Sequence, residues 1–147
     1  TFPTYLEELK RLADRVAPGR ITFHEPQLPA NLVRYLTQFD VGIPLIRALH
    51  DNYQNMLPNK FFDFVMAGLG IVVAPLPMMT PYLERYGNGV AAPDQDYHSM
   101  ADVINALTAE QIDGYKHASL KMAIEVNAGA EMARLMGMYH SLLGSDE

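Results

Sequence analysis

Two residues of this chain are hard to explain as packing alone. Lys60 and Asp63 stand in the run Leu57-Pro58-Asn59-Lys60-Phe61-Phe62-Asp63-Phe64, ahead of Ala67-Gly68 and the apolar Ile71-Val72-Val73-Ala74. Pro58 suits the start of a helix, because its missing N–H would have no partner there. Lys60 then falls in the first turn, where the macrodipole is already positive. Asp63 falls among phenylalanines, where a carboxylate is costly unless its lone pairs find partners. An anion held by the free N–H groups of Asn59, Lys60 and Phe61 would relieve the first anomaly. Hydroxyl groups beside Asp63 would relieve the second. A ligand that joins a diphosphate to a sugar offers both. The plainer alternatives are a solvated lysine and a carboxylate paired with Lys60 or with nearby backbone.

The elements that must position these residues follow from periodicity. Thr4 and Glu7 form a capping box for a helix from Tyr5 to Ala13, which Pro18-Gly19 ends. Arg20–Glu25 reads as a strand, Pro26–Pro29 as a loop and Asn31–Leu36 as a short helix. Val41–Ile46 reads as a strand, followed by a long loop from Arg47 to Leu57. Then come helix Asn59–Ala67, strand Ile71–Ala74, helix Thr80–Tyr86 and strand Gly89–Ala92, with Gly87-Asn88-Gly89 as the helix stop. From Tyr97 to the end, 97–147, the chain is helical with breaks near Thr108 and Ala128-Gly129.

This alternation predicts an α/β fold, a Rossmann-like parallel sheet with flanking helices, in one domain spanning 1–147. Ligands of such sheets bind beyond the carboxyl ends of the strands. His24 and Glu25 end a strand on that edge and are candidates to border a base or sugar. Such a domain normally opens with a strand, whereas this chain opens with a helix, so it reads as truncated at its N-terminus.

Composition bounds the chemistry. The 147 residues are 49% apolar and 19% charged, and the net charge is −6 without a Lys/Arg-rich run, so general nucleic-acid binding is not expected. The absence of cysteine excludes disulfides, thiolate metal sites and cysteine nucleophiles. His50, His98, His117 and His140 have no metal-ligand spacing. Gly68-Leu69-Gly70 follows a helix and precedes a strand, the wrong order for cradling a dinucleotide. Met122, Met132, Met136 and Met138 read as packing residues, and Ala128–Leu143 as a surface for a partner domain. No apolar run approaches the ~20 residues that span a bilayer, and no signal-peptide pattern is present. The expected location is cytoplasmic, with peripheral membrane association left open.

The run from Leu57 to Ala74 resembles the nucleotide-sugar-binding half of GT-B glycosyltransferases, nearest to the retaining, family-4-like enzymes with a Pro-Asn-Lys-x-x-Asp/Glu-Tyr/Phe signature. Ile21-Thr22-Phe23-His24, Phe39-Asp40-Val41-Gly42-Ile43-Pro44-Leu45, Gly87-Asn88-Gly89-Val90 and Pro93-Asp94 resemble further strands and turns of that half, so the likeness runs from about Tyr5 to Ala106. The resemblance implies the C-terminal half of a two-domain enzyme that transfers sugar from a nucleoside-diphosphate donor to a sugar or lipid acceptor, without a metal or other cofactor. It implies that Asp63 binds the ribose, that Lys60 and the backbone of Pro58, Asn59 and Phe61 lie near the phosphates, and that His24–Leu28 border the base. Asn52 matches an asparagine that often precedes the signature. Many relatives carry a carboxylate eight positions before the helix carboxylate, facing the donor sugar, where this chain has Asn55. The family's first two strands and its N-terminal acceptor domain have no counterpart here, and the missing strands sit centrally in the family's sheet. A gap in the sheet is therefore expected, with apolar edges exposed. Alternative functions are a non-catalytic nucleotide-sugar-binding or assembly module and a nucleotide-sugar epimerase of the same architecture.

Overall fold

The computed structural model describes residues 4–46 and 55–143. The fold is α/β: a small open sheet of three parallel strands with flanking helices. Strands β1 (Val41–Gly42), β2 (Gly70–Val73) and β3 (Gly89–Ala91) lie side by side in chain order, with Val41 opposite Gly70 and Ile71 opposite Gly89. Every β2 residue is buried, as its unbroken apolar run requires of the central strand of a covered sheet.

Ahead of the sheet lie α1 (Tyr5–Val16) and α2 (Pro29–Leu36). The predicted capping box is formed: Thr4 Oγ1 accepts from the Glu7 amide, and the Glu7 carboxylate accepts from the Thr4 amide. α1 buries only Ala13 and leaves Tyr5, Leu6, Leu12 and Val16 exposed. Between the strands run α3 (Asn59–Met66) and α4 (Thr80–Tyr86). α4 ends where Gly87 takes a left-handed conformation with φ of 65°. After β3 the chain is helical as expected, in α5 (Tyr97–Ala106), α6 (Ala109–Glu125) and α7 (Ala128–Leu143). Thr108 and Gln111 form a second capping box at the start of α6, the predicted break. α3 and α6 pack on each other and on β2. Phe61, Val65, Ile71, Val72, Val73, Leu76, Met79 and Met122 form the dry centre.

Three expectations change. Arg20–Glu25 is not a strand: residues 21–28 have no regular structure, and Ile21 and Phe23 are 50% and 38% exposed. Its alternating side chains suit a sheet, but a strand exists only where a neighbour takes its N–H and C=O groups, and among the described residues none does. Among the described residues the three strands are contiguous, without the expected gap, and β1 and β3 are the two edges. β1 itself covers two residues rather than the predicted Val41–Ile46, since Pro44 has no N–H to offer a ladder. No helix among the described residues is long and apolar enough to cross a membrane.

A buried polar link fixes α6 to the sheet. The Ser119 hydroxyl donates to the Leu69 carbonyl at 2.6 Å, and the Asn88 amide donates to Ser119 Oγ at 3.2 Å, with both residues fully buried. The Asn88 carbonyl in turn accepts from the Ile71 amide at 3.0 Å. One asparagine thus ties the α4–β3 turn, the start of β2 and α6 together, a role that its place in Gly87-Asn88-Gly89 does not reveal.

Candidate functional site

In a parallel sheet the helix between two strands starts at the carboxyl edge and returns the chain to the amino edge. The start of α3 therefore lies on the edge where open α/β sheets take ligands. Pro58 is its N-cap residue and supplies no side-chain hydrogen bond. The Phe61 amide donates to the Pro58 carbonyl at 3.0 Å, which removes it from the expected anion donors. Among the described residues, the amides of Asn59 and Lys60 meet no acceptor, and both residues are exposed.

Asp63 is half-buried one turn further on. Among the described residues its carboxylate makes neither the ion pair with Lys60 nor a hydrogen bond to nearby backbone that packing alone would supply. It lines a pocket of about 450 Å³ together with Phe62 and Met66 of α3, Tyr82 of α4, the α6–α7 turn at Val126-Asn127-Ala128, and Glu131 of α7. The walls are mostly apolar with carboxylates at Asp63 and Glu131, a composition suited to an organic ring carrying polar groups.

The other expected residues do not join this pocket. His24 Nδ1 lies 2.6 Å from the Tyr35 hydroxyl, and its ring meets Tyr35 and Phe39 edge-on, both at 5.7 Å. Glu25 is exposed, and its backbone carbonyl accepts from the Gln27 side chain at 3.0 Å. Both lie beside an open groove lined by Gln27, Asn31, Arg34, Tyr35 and Gln38. Asn55 is an exposed turn residue ahead of α3, and Asn52 lies outside the described residues. A further pocket of about 400 Å³, at the carboxyl ends of β1 and β2, is lined by Pro44, Ile46, Ala74, Gln95, Tyr97 and Met100 among others, none of them singled out from sequence. Among the described residues no group of three or more His, Asp or Glu side chains is placed to hold a metal ion.

Met66 follows Phe62 by four positions and Asp63 by three, so its place beside both on α3 was within reach of sequence reasoning. Val126, Asn127 and Glu131 were not, since they arrive from more than 60 positions away. Near that turn the Tyr86 hydroxyl donates to Glu125 Oε2 at 3.1 Å. Burial, and next the hydrogen bond to Glu125, push the Tyr86 phenol above its ordinary value, while the Arg85 charge works against them. The folded state thus favours the neutral phenol. Its contribution to stability is complete below the ordinary tyrosine range and is lost as pH rises through the raised value. In a spectrophotometric alkaline titration Tyr86 should ionise above the ordinary tyrosine range. Tyr86→Phe should remove that late transition, and Glu125→Gln should shift it. A titration unchanged by Tyr86→Phe would contradict this placement of the phenol.

No protein-family model, curated protein or solved structure matches the chain, and the chemistry of the site is argued from its own residues.

Proposed function

We propose that this chain is the donor-binding part of a metal-independent GT-B-type glycosyltransferase, moving a sugar from a nucleoside diphosphate to a sugar or lipid acceptor. The observation that carries this reading is the half-buried Asp63 carboxylate, without a protein partner among the described residues, in a pocket that α3 lines with Phe62, Asp63 and Met66, one turn after its uncapped start. Lys60 and Asp63 are three positions apart, about 4.5 Å along the axis at the α-helical rise. A nucleoside diphosphate bridges that span, its ribose hydroxyls donating to Asp63 and its phosphates meeting Lys60 and the Asn59 and Lys60 amides. The leaving diphosphate gains negative charge as the glycosidic bond breaks, and a cation with fixed N–H dipoles stabilises that charge without further reorganisation.

A non-catalytic binding module is the second reading, favoured by Asn55. An amide hydrogen-bonds sugar hydroxyls but cannot offset positive charge that develops on the donor sugar. Turnover of a donor sugar by the intact polypeptide separates the two readings, and release of an altered nucleotide sugar instead would indicate an epimerase.

The test is calorimetric titration of UDP, GDP and ADP into the chain and into Asp63→Ala. One nucleotide should bind selectively. Losing one or two charge-assisted hydrogen bonds, at about 1.5–3 kcal/mol each, should weaken it by roughly tenfold to a hundredfold or more. Lys60→Ala should weaken the diphosphate and leave the bare nucleoside unaffected. No binding by a chain that is folded by circular dichroism would overturn the proposal.

A further inference from the structure

One wall of the Asp63 pocket is the turn between two long helices, and the two sides of that turn are held very differently. On the α6 side, Ser119 and Met122 are fully buried and Val126 packs against the core. On the other side α7 buries no residue, and Met132, Leu135, Met136 and Tyr139 are all about half exposed. A 16-residue helix without tertiary packing is marginal in water, so its attachment decides its behaviour.

That attachment is concentrated in one side chain. Asn127 Nδ2 donates to the carbonyls of Ala123 at 2.9 Å and Ile124 at 3.0 Å, covering the orphan acceptors at the end of α6. Asn127 Oδ1 accepts from the Ala130 amide at 3.0 Å and so caps the start of α7. An asparagine does both because its side chain carries a donor and an acceptor. Arg134 adds a second tie, reaching back to the Glu125 carbonyl at 3.1 Å while paired with Glu131.

We propose that α7 is an arm hinged at Asn127, whose angle to α6 is set by what occupies the Asp63 pocket. The inference rests on that pocket being a ligand site, as the proposed function has it. Phe62, Asp63, Met66 and Tyr82 form the fixed wall, while Ala128 and Glu131 belong to the arm. A ligand that touches both walls binds one arm angle better than others and selects it. The coupling is reciprocal: fixing the arm at that angle changes the affinity of the pocket by the same factor.

Hydrogen exchange read by mass spectrometry tests this, comparing peptides of α7 with peptides of α6 in the same chain. Met66→Trp fills the pocket from the fixed wall without any ligand and should slow exchange in the first turns of α7 by about tenfold. Asn127→Asp keeps the cap on α7 but loses both donors to the last turn of α6, and should speed α7 exchange by a similar factor while α6 as far as Met122 stays unchanged. The nucleoside diphosphate selected by calorimetry should act as Met66→Trp does. Unchanged α7 exchange in a folded Met66→Trp chain overturns the coupling, and unchanged exchange in Asn127→Asp overturns the hinge. If Met66→Trp fails to fold, Met66→Phe replaces it under the same criterion. Nucleotide binding that leaves α7 exchange unaltered sinks the arm and spares the proposed function. Slowed exchange in the filled pocket with no nucleotide binding does the reverse.

Discussion

Gly89→Ala should cost roughly 3 kcal/mol of unfolding free energy or more, the upper end of what overpacking does. A Cβ at this position would lie 2.0 Å from the Ile71 carbonyl oxygen and 2.8 Å from its carbon, both backbone atoms of the neighbouring strand. A flexible side chain could swing aside, but Ile71 cannot. It faces Gly89 in register, its amide is held by the Asn88 carbonyl, and its side chain is fully buried. The clash is relieved only if β2 and β3 move apart, which opens the ladder and the Asn88–Ser119 link together. Gly114→Ala is the control. Gly114 is exposed on α6 with nothing near the added methyl, and alanine there should stabilise by about 0.5–1 kcal/mol through helix propensity. Urea unfolding of both variants reads the contrast. A Gly89→Ala loss below about 1 kcal/mol would mean that β2 and β3 do not approach as described.

How far the sequence anticipates this fold depends on whether a signal is local. The capping box at Thr4 and Glu7 is complete within four residues, and so is the stop at Gly87, and both form as read. The apolar run that becomes β2 marks itself as central because nothing polar interrupts it. The strand expected at Arg20–Glu25 is the counterexample. The alternation of Ile21 and Phe23 states a preference for a pleated, half-buried surface but carries no information about whether a neighbouring strand is there. The site divides along the same line. Asp63 stands out because a carboxylate among phenylalanines violates a local rule. The residues that complete its pocket break no rule where they stand: Tyr82 is one more aromatic on a helix, and Val126-Asn127-Ala128 is one more helix break. Asn127 and Asn88 are equally silent, since an asparagine in a turn reads the same whether it faces water or joins two elements.

The neighbouring phenylalanines of α3 should separate cleanly into a structural ring and a ligand-facing one. Phe61 is fully buried in the core, and Phe61→Ala should cost about 3–5 kcal/mol through lost transfer energy and the cavity left behind. Phe62 is half-buried and lines the Asp63 pocket, so truncation there enlarges a space that already opens to solvent. Its loss is confined mainly to ring contacts with Phe61 at 5.5 Å and Tyr82 at 6.0 Å. At about 0.5–1.5 kcal/mol for each aromatic pair, Phe62→Ala should cost roughly 1–3 kcal/mol. Binding should show the opposite order. Phe62→Ala removes an apolar wall and should weaken the nucleotide that calorimetry selects, whereas Phe61→Leu, which keeps most of the buried volume, should bind it nearly unchanged. The pair of measurements tests the rotation of α3 as much as the two rings. Asp63 lines the same pocket as Phe62, so equal stability losses would turn both, carboxylate included, away from the pocket assigned to them. Unequal losses with unchanged nucleotide binding would keep the fold and move the ligand elsewhere, with the pocket at the carboxyl ends of β1 and β2 next in line.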